Sequence, residues 1–445
     1  MVGRICIIGA GAAGLCTAHQ AVLYSGTPIV YEQTETVGGT WVYTERTKCD
    51  DFGLPIHSSM YQNMRTNLPK EAMAFPDFAF PKEGRSFLHH STVYQYLKDY
   101  ATHFDLYKFI KFRHLVINVR PVVDSGQTAM AVDVYKPKWI VTSQNVETRK
   151  FDEQMFDAVF VCNGHYSVPD YPEISGLETF SGLLLHSHSY RCPEPFTGLR
   201  VACLGAGPSG CDIALELATV AKQVYLCHNK EPLKSPLPEN VAQTAGIQSI
   251  IGPQEAALKD GCCVALDAIV LCTGYEYSFP FLNLKSCNST THKTEVPIEI
   301  TQRGRRVAPL YEHCLHPELQ NLFFIGLFTV VLPFPLFDTQ VRFCLQILSG
   351  AAKLPSPETM FRAIEKDCDY RRNKLGLPAH KAHYLGHPGQ WEYAERLCKT
   401  AQMTNLVKPA VSKLYGHVHS LRCVNLTRYK NVNFRICDDE NFEEI

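Results

Sequence analysis

The sequence predicts an α/β fold with two dinucleotide-binding domains of Rossmann type, the first discontinuous and the second inserted into it. Three observations predict it. The glycine pattern "GAGAAG" at 9–14 sits between a short apolar run and a helical stretch. A near-copy, "GAGPSG", recurs at 205–210 in the same setting. Each is followed about 20 residues later by a second apolar run, as in a βαβ unit. A length of 445 residues leaves room for two domains or three.

Taken in order, "RICII" at 4–8 reads as a fully buried strand. Gly9 then makes the tight turn, Gly11 lets backbone approach a pyrophosphate, and Gly14 lets helix pack on strand. Ala12 and Ala13 open the helix, whose free N–H groups and positive dipole end suit a phosphate. "TPIVYE" is the next strand and ends in Glu32, a carboxylate placed to accept hydrogen bonds from a ribose. The span 91–105 is an amphipathic helix with Ser91 or Thr92 as its cap.

In the second copy a strand at 199–204 leads into Gly205, Gly207, Pro208, Ser209 and Gly210. Its following strand, "QVYLCHN", carries no acid where Glu32 stands in the first; it reads Cys227, His228, Asn229, Lys230. An acid would repel a 2′-phosphate, whereas His228 and Lys230 tolerate or attract one. FAD in the first cradle and NADPH in the second are the expected pair. Further on, 322–337 reads as a buried strand and loop broken by Pro333 and Pro335, and "SPETMFRAIEKDCDYRRNK" as a capped helix. The rest of the tail, with its histidines, is expected to serve packing.

The remaining composition mostly excludes. A net charge of −1 argues against nucleic acid or an anionic membrane as partner. The 18 cysteines include no C-x-x-C pair, which argues against a zinc ribbon and against a redox dithiol. They suit a reducing, cytoplasmic setting, with secretion as the alternative because of sequons at Asn288 and Asn425. No apolar run reaches the roughly 20 residues of a spanning helix. No metal site is expected: His186 and His188 have no second pair of ligands at useful spacing.

Several segments together resemble the flavin-containing monooxygenase family. "ETVGGTW" (35–41) is similar to its glycine-glycine-tryptophan segment, and "MRTNLPKEAMAFPDFAFP" (64–81) to the segment bearing its active-site asparagine, here Asn67. "VCNGHYSVP" (161–169) and "LCTGY" (271–275) resemble the links between its domains, and "NLFFIG" and "PLFDTQVRF" its return to the flavin domain. The stretch from Phe180 to Pro195 carries the family fingerprint through Gly182, His186, Tyr190 and Arg191. In length and in "RTNLPKE" the chain is similar to the fungal, plant and insect types, including insect alkaloid N-oxygenases, and it lacks the C-terminal anchor of the microsomal ones.

The resemblance implies a flavin domain of residues 1–165 and 321–445 around an NADPH domain of residues 166–320. It implies FAD contacts from Gly39, Thr40, Trp41, Thr66, Asn67 and Gln340, and a hydrogen-bonding linker role for His186. It also implies the reaction: NADPH reduces the flavin, dioxygen adds at its C4a carbon, and the hydroperoxide gives its outer oxygen to a soft nucleophile. Asn67 suits this because an amide both donates and accepts and carries no charge. Tyr190 marks the amine- and sulfide-oxygenating group, since the Baeyer–Villiger relatives carry tryptophan there. Small lipophilic amines, alkaloids or thioethers are the expected substrates. Two alternatives stay open: ketone insertion, with Arg65 on the same side of a strand as Asn67, and a non-catalytic dinucleotide-binding protein. Homo-oligomerisation is left open.

Overall fold

The computed structural model describes residues 2–122, 136–284 and 298–445. The sequon at Asn288 lies outside them. The first cradle unfolds as read: strand β1 (Arg4–Ile8), helix α1 (Ala12–Leu23) and strand β2 (Thr27–Tyr31), with β1 and β2 parallel. Helix α2 (His90–His103) starts one residue before the expected span. Its cap is neither Ser91 nor Thr92 but His89, whose ring accepts from the Ser91 N–H at 3.4 Å, taking the role of a hydroxyl. Strand β3 (Ile110–Lys111) extends the sheet beyond β2, and β4 (Ala158–Val161) flanks β1 on the other side. Between them an antiparallel meander (His114–Pro121, Trp139–Asn145, Phe151–Phe156) packs Val119, Trp139 and Phe156 against Cys6, Ile8 and Tyr31 of the sheet.

The inserted unit repeats the plan. It comprises strand β5 (Leu183–His186), β6 (Arg200–Leu204), helix α3 (Pro208–Leu217), β7 (Gln223–Cys227), β8 (Val241–Thr244) and β9 (Ala268–Leu271). These make a parallel sheet ordered β8-β7-β6-β9-β5. Residues Val168–Pro169 and Tyr275–Glu276 pair antiparallel, so the two crossings between the domains lie side by side. The chain beyond this crossing, through Tyr277, Phe279, Phe281, Val307 and Leu310, packs in the core of the first sheet and its meander. The described residues 277–284 and 298–320, within the range expected for the inserted domain, thus add side chains to the core of the first sheet.

Strand β10 (Leu322–Phe324) pairs with β4 and completes a five-stranded parallel sheet, β10-β4-β1-β2-β3. The expected loop after it is shorter than the sequence suggested. Pro333 opens helix α4 (Pro333–Leu348), because a proline at the first helical position lacks only an N–H that has no partner there. Helix α4 packs on α1 and covers the cradle domain. Helices α5 (Pro357–Asn373, capped by Ser356), α6 (Gly389–Ala401) and α7 (Pro409–Val424) follow. Among the described residues no helix is long and apolar enough to cross a membrane.

Candidate active site and cofactor cradles

Gly9 takes φ +102° and donates its N–H to the Tyr31 carbonyl at 2.8 Å, which bends the chain sharply at the end of β1. A Cβ on Gly14 would stand 1.8 Å from the Gly9 carbonyl oxygen, so only glycine allows α1 to pack there. Gly11 faces Gly39, where an added Cβ would meet the Gly39 Cα at 3.5 Å. The turn and the Gly38–Trp41 segment thus approach each other backbone to backbone, the fit a pyrophosphate requires. Glu32 is buried and ties the site together: one oxygen accepts from the Ala10 N–H at 2.8 Å, the other from the Thr34 N–H and hydroxyl at 2.9 and 2.8 Å. A carboxylate has lone pairs to spare, so these bonds orient Glu32 and leave it able to accept from a ribose.

The second cradle copies this geometry. Gly205 has φ +116° and donates to the Cys227 carbonyl at 2.8 Å, and a Cβ on Gly210 would lie 1.7 Å from the Gly205 oxygen. A Cβ on Gly207 would meet nothing within 4 Å, and Pro208 and Ser209 are exposed. Space for a phosphate is open at the helix N-terminus. His228 stands where Glu32 stands in the first copy, yet it does not face that space freely. Its Nε2 lies 3.3 Å from Gln243 Oε1 and its Nδ1 accepts from the Lys230 N–H at 3.2 Å, so it closes the turn after β7. Lys230, the next basic residue along this turn, is exposed.

Asn67 follows Thr66, which is buried and pairs with Leu88 through its backbone and hydroxyl. Thr66 therefore positions the segment and presents little surface to a cofactor. The Asn67 Oδ1 accepts from the Tyr429 hydroxyl at 3.2 Å. Residues 64–68 form no strand, and the Arg65 guanidinium is taken up by the Phe87 and Lys430 carbonyls and by Asn431 Oδ1. Lys430 in turn donates to the Arg65 carbonyl at 3.1 Å and to Asp212 Oδ2 at 2.6 Å. Arg65 and Lys430 thus both donate to protein acceptors. Gln340 is corrected by the structure: it is fully buried, its oxygen accepts from the Gly326 N–H and its amide donates to Tyr393, both at 2.8 Å. It fixes the turn after β10 and does not face a ring.

Two glycine cradles, an acid on one and none on the other, invite comparison with known proteins. The model of the family described as flavin-binding monooxygenase-like matches residues 2–232 and 248–419. The chain belongs to this family. A flavin-containing monooxygenase, FMO GS-OX-like 9 of Arabidopsis thaliana, is 35% identical over 435 residues, covering 89% of each chain. Among solved structures, S-allyl-L-cysteine S-oxygenase from Allium sativum superposes with a TM-score of 0.83 at 31% identity, over 96% of this chain and 94% of that one. Tmm from a Pelagibacter strain superposes with 0.80 at 26% identity, over 96% and 93%. FAD and NADPH are the cofactors expected of this monooxygenase, and its reaction takes a small molecule and dioxygen.

The fingerprint of this flavin-containing monooxygenase proves to be a clasp between the two cradle domains. Arg191 is buried and donates to the carbonyls of Thr44, Arg46 and Ser58 in the first domain at 2.6, 2.9 and 3.3 Å, and to His188 and Tyr190 in its own. Tyr190 donates to Glu216 on α3 at 2.8 Å. His188, not His186, makes the histidine bond across the domains, from Nε2 to the Ile56 carbonyl at 2.9 Å. His186 accepts from the His188 N–H at 3.0 Å and packs edge-on to Tyr275; burial lowers its pKa to about 4. Among the described residues no group of three metal-binding side chains assembles. Tyr429 and Lys430 were missed by sequence reading, since 362 residues separate Tyr429 from Asn67 and no motif links them.

Proposed function

We propose that the chain uses NADPH and dioxygen to oxygenate sulfur or nitrogen in a small lipophilic nucleophile. FAD is held by Gly9, Gly11, Gly14 and Glu32, and NADPH by Gly205, Gly207, Gly210 and Lys230. FAD supplies the electron transfer and oxygen activation that side chains lack. Gly39, Thr40 and Trp41 close over the first cradle, and Asn67 donates a hydrogen bond to the reacting oxygen from its Nδ2. The single observation that supports this chemistry most is how the two cations near Asn67 are engaged: Arg65 donates to the Lys430 carbonyl and Asn431, and Lys430 is paired with Asp212, so neither ammonium nor guanidinium is left free to hold a deprotonated oxidant. Ketone insertion needs a deprotonated oxidant, which a free cation would favour. Neither Arg65 nor Lys430 is such a free cation.

Allyl and methyl thioethers are the first substrates to try, given the S-oxygenase from Allium sativum among the relatives. Tertiary amines come second. The described cysteines, all free thiols, support a reducing cytoplasmic setting. The test is oxygen-dependent NADPH consumption with product analysis over thioethers, tertiary amines and cyclic ketones. Sulfoxides or N-oxides should dominate. Faster formation of lactones than of either would overturn the proposal. In the Asn67→Leu variant flavin reduction should persist while hydrogen peroxide replaces product; unchanged coupling would remove Asn67 from the reaction.

A further inference from the structure

The segment that follows helix α7 crosses the molecule as a strap. It is anchored on the second domain by the Leu426 N–H, which donates to Ser235 Oγ at 2.7 Å, and by Lys430 on Asp212 in the first turns of α3. It is anchored on the first domain by Asn433 Oδ1, which accepts from the Ser86 N–H at 3.0 Å, and by the Phe434 N–H, which donates to Ser86 Oγ at 2.8 Å. Tyr429 lies between these anchors. It is 1% exposed and sits edge-on to Phe87 with ring centres 5.4 Å apart. Its hydroxyl has one hydrogen-bond partner among the described residues, Asn67 Oδ1.

We infer that Tyr429 is a positioning residue that sets which end of the Asn67 amide faces the reaction. A buried phenol must place its proton on an acceptor, because leaving it unpaired carries the full cost of desolvation. Oδ1 is that acceptor, so the amide is held with its oxygen toward the strap. Nδ2 has no protein acceptor among the described residues and is left to donate outward. Were the amide to flip, the phenol would lose its acceptor and the reacting oxygen would face a carbonyl in place of a donor. The inference rests on the role proposed above for Asn67, but the contact itself is independent of it.

The test is a double-mutant cycle of Tyr429→Phe and Asn67→Ala, read in two ways. In flavin-free protein, Tyr429→Phe should lower the melting temperature in the native background and leave it unchanged or raise it in Asn67→Ala, where the buried phenol has lost its acceptor. In the loaded enzyme, Tyr429→Phe should raise hydrogen peroxide released per NADPH several-fold, with flavin content and flavin reduction unaltered. It should add nothing to the peroxide released by Asn67→Ala. Additive effects on either readout would overturn the inference, as would unchanged peroxide yield in Tyr429→Phe while Asn67→Ala uncouples. If Asn67→Ala itself left coupling intact while the melting cycle stayed non-additive, the contact would stand and the role proposed for Asn67 would be the part that failed.

Discussion

The two cradles share a motif, a turn and a helix, yet they are built for different residence. In each, the first glycine donates to the last carbonyl of the neighbouring strand at 2.8 Å, and the third packs against the first. Around the first, α1 is buried from Ala12 to Ala21 apart from Ala13, and Gly39 closes over Gly11. Around the second, Pro208 and Ser209 are exposed and nothing stands within 4 Å of a Cβ on Gly207. Under the proposed assignment, a dinucleotide in the first would be enclosed and held by an oriented acid, while one in the second would meet solvent and the exposed Lys230. The difference teaches that the glycine motif fixes the local backbone, while the surroundings decide between a resident cofactor and an exchanging one.

The sharpest way to break the comparison is Glu32→Arg. It removes the acceptor that holds Ala10 and Thr34 and places a donor of opposite charge at the ribose. Purified protein should be nearly colourless, with flavin absorbance down about tenfold or more, a change equivalent to ~1.4 kcal/mol or beyond. Full flavin occupancy would show that Glu32 only shapes the turn. Next is the pair Gly11→Ala and Gly207→Ala. Both glycines have extended backbone that alanine adopts without strain, with φ −74° and −80°. The apoprotein should melt as before in both, while Gly11→Ala loses FAD and Gly207→Ala raises the KM for NADPH roughly tenfold, about 1.4 kcal/mol. Loss of flavin in Gly207→Ala would mean the cradles are assigned the wrong way round.

Acid should act on the crossings that join the two domains. Burial pushes both His165 and His186 down to about 4. Unfolded histidines protonate near pH ~6.5 while these stay neutral, so the unfolded chain binds more protons below that value. The stability is fully present above pH ~6.5 and is lost as pH falls toward 4, by up to about 3 kcal/mol per histidine. Melting temperature followed from pH 7 to 4.5 should fall, and His186→Gln should flatten the slope; an unaltered slope would place the acid sensitivity elsewhere. Smallest is Lys230→Glu. It should raise the KM for NADPH several-fold and that for NADH hardly at all, since an exposed charge pair contributes about 1 kcal/mol or less. Equal effects on both would put the 2′-phosphate on another group.

Much of this protein was determined by the sequence alone, because the determinants are local. Gly9, Gly14, Gly205 and Gly210 are dictated by backbone geometry within a few residues, and Glu32 by its place at a strand end. The apolar runs that become β1, β4, β6 and β9 are legible for the same reason, since strands covered on both faces need unbroken apolar sequence. What only the tertiary structure decided depends on which distant groups a side chain meets. Gln340 turned inward to Gly326 and Tyr393, His228 to Gln243, and His188 took the cross-domain bond expected of His186. Arg65 is expected beside Asn67 on a strand, but no strand forms there and the strap carrying Lys430 and Asn431 engages it. A hydrogen bond between Tyr429 and Asn67 spans nearly the whole chain, and no period or motif in a sequence encodes a contact at that separation; only the return of the C-terminal segment over residues 65–87 brings them together.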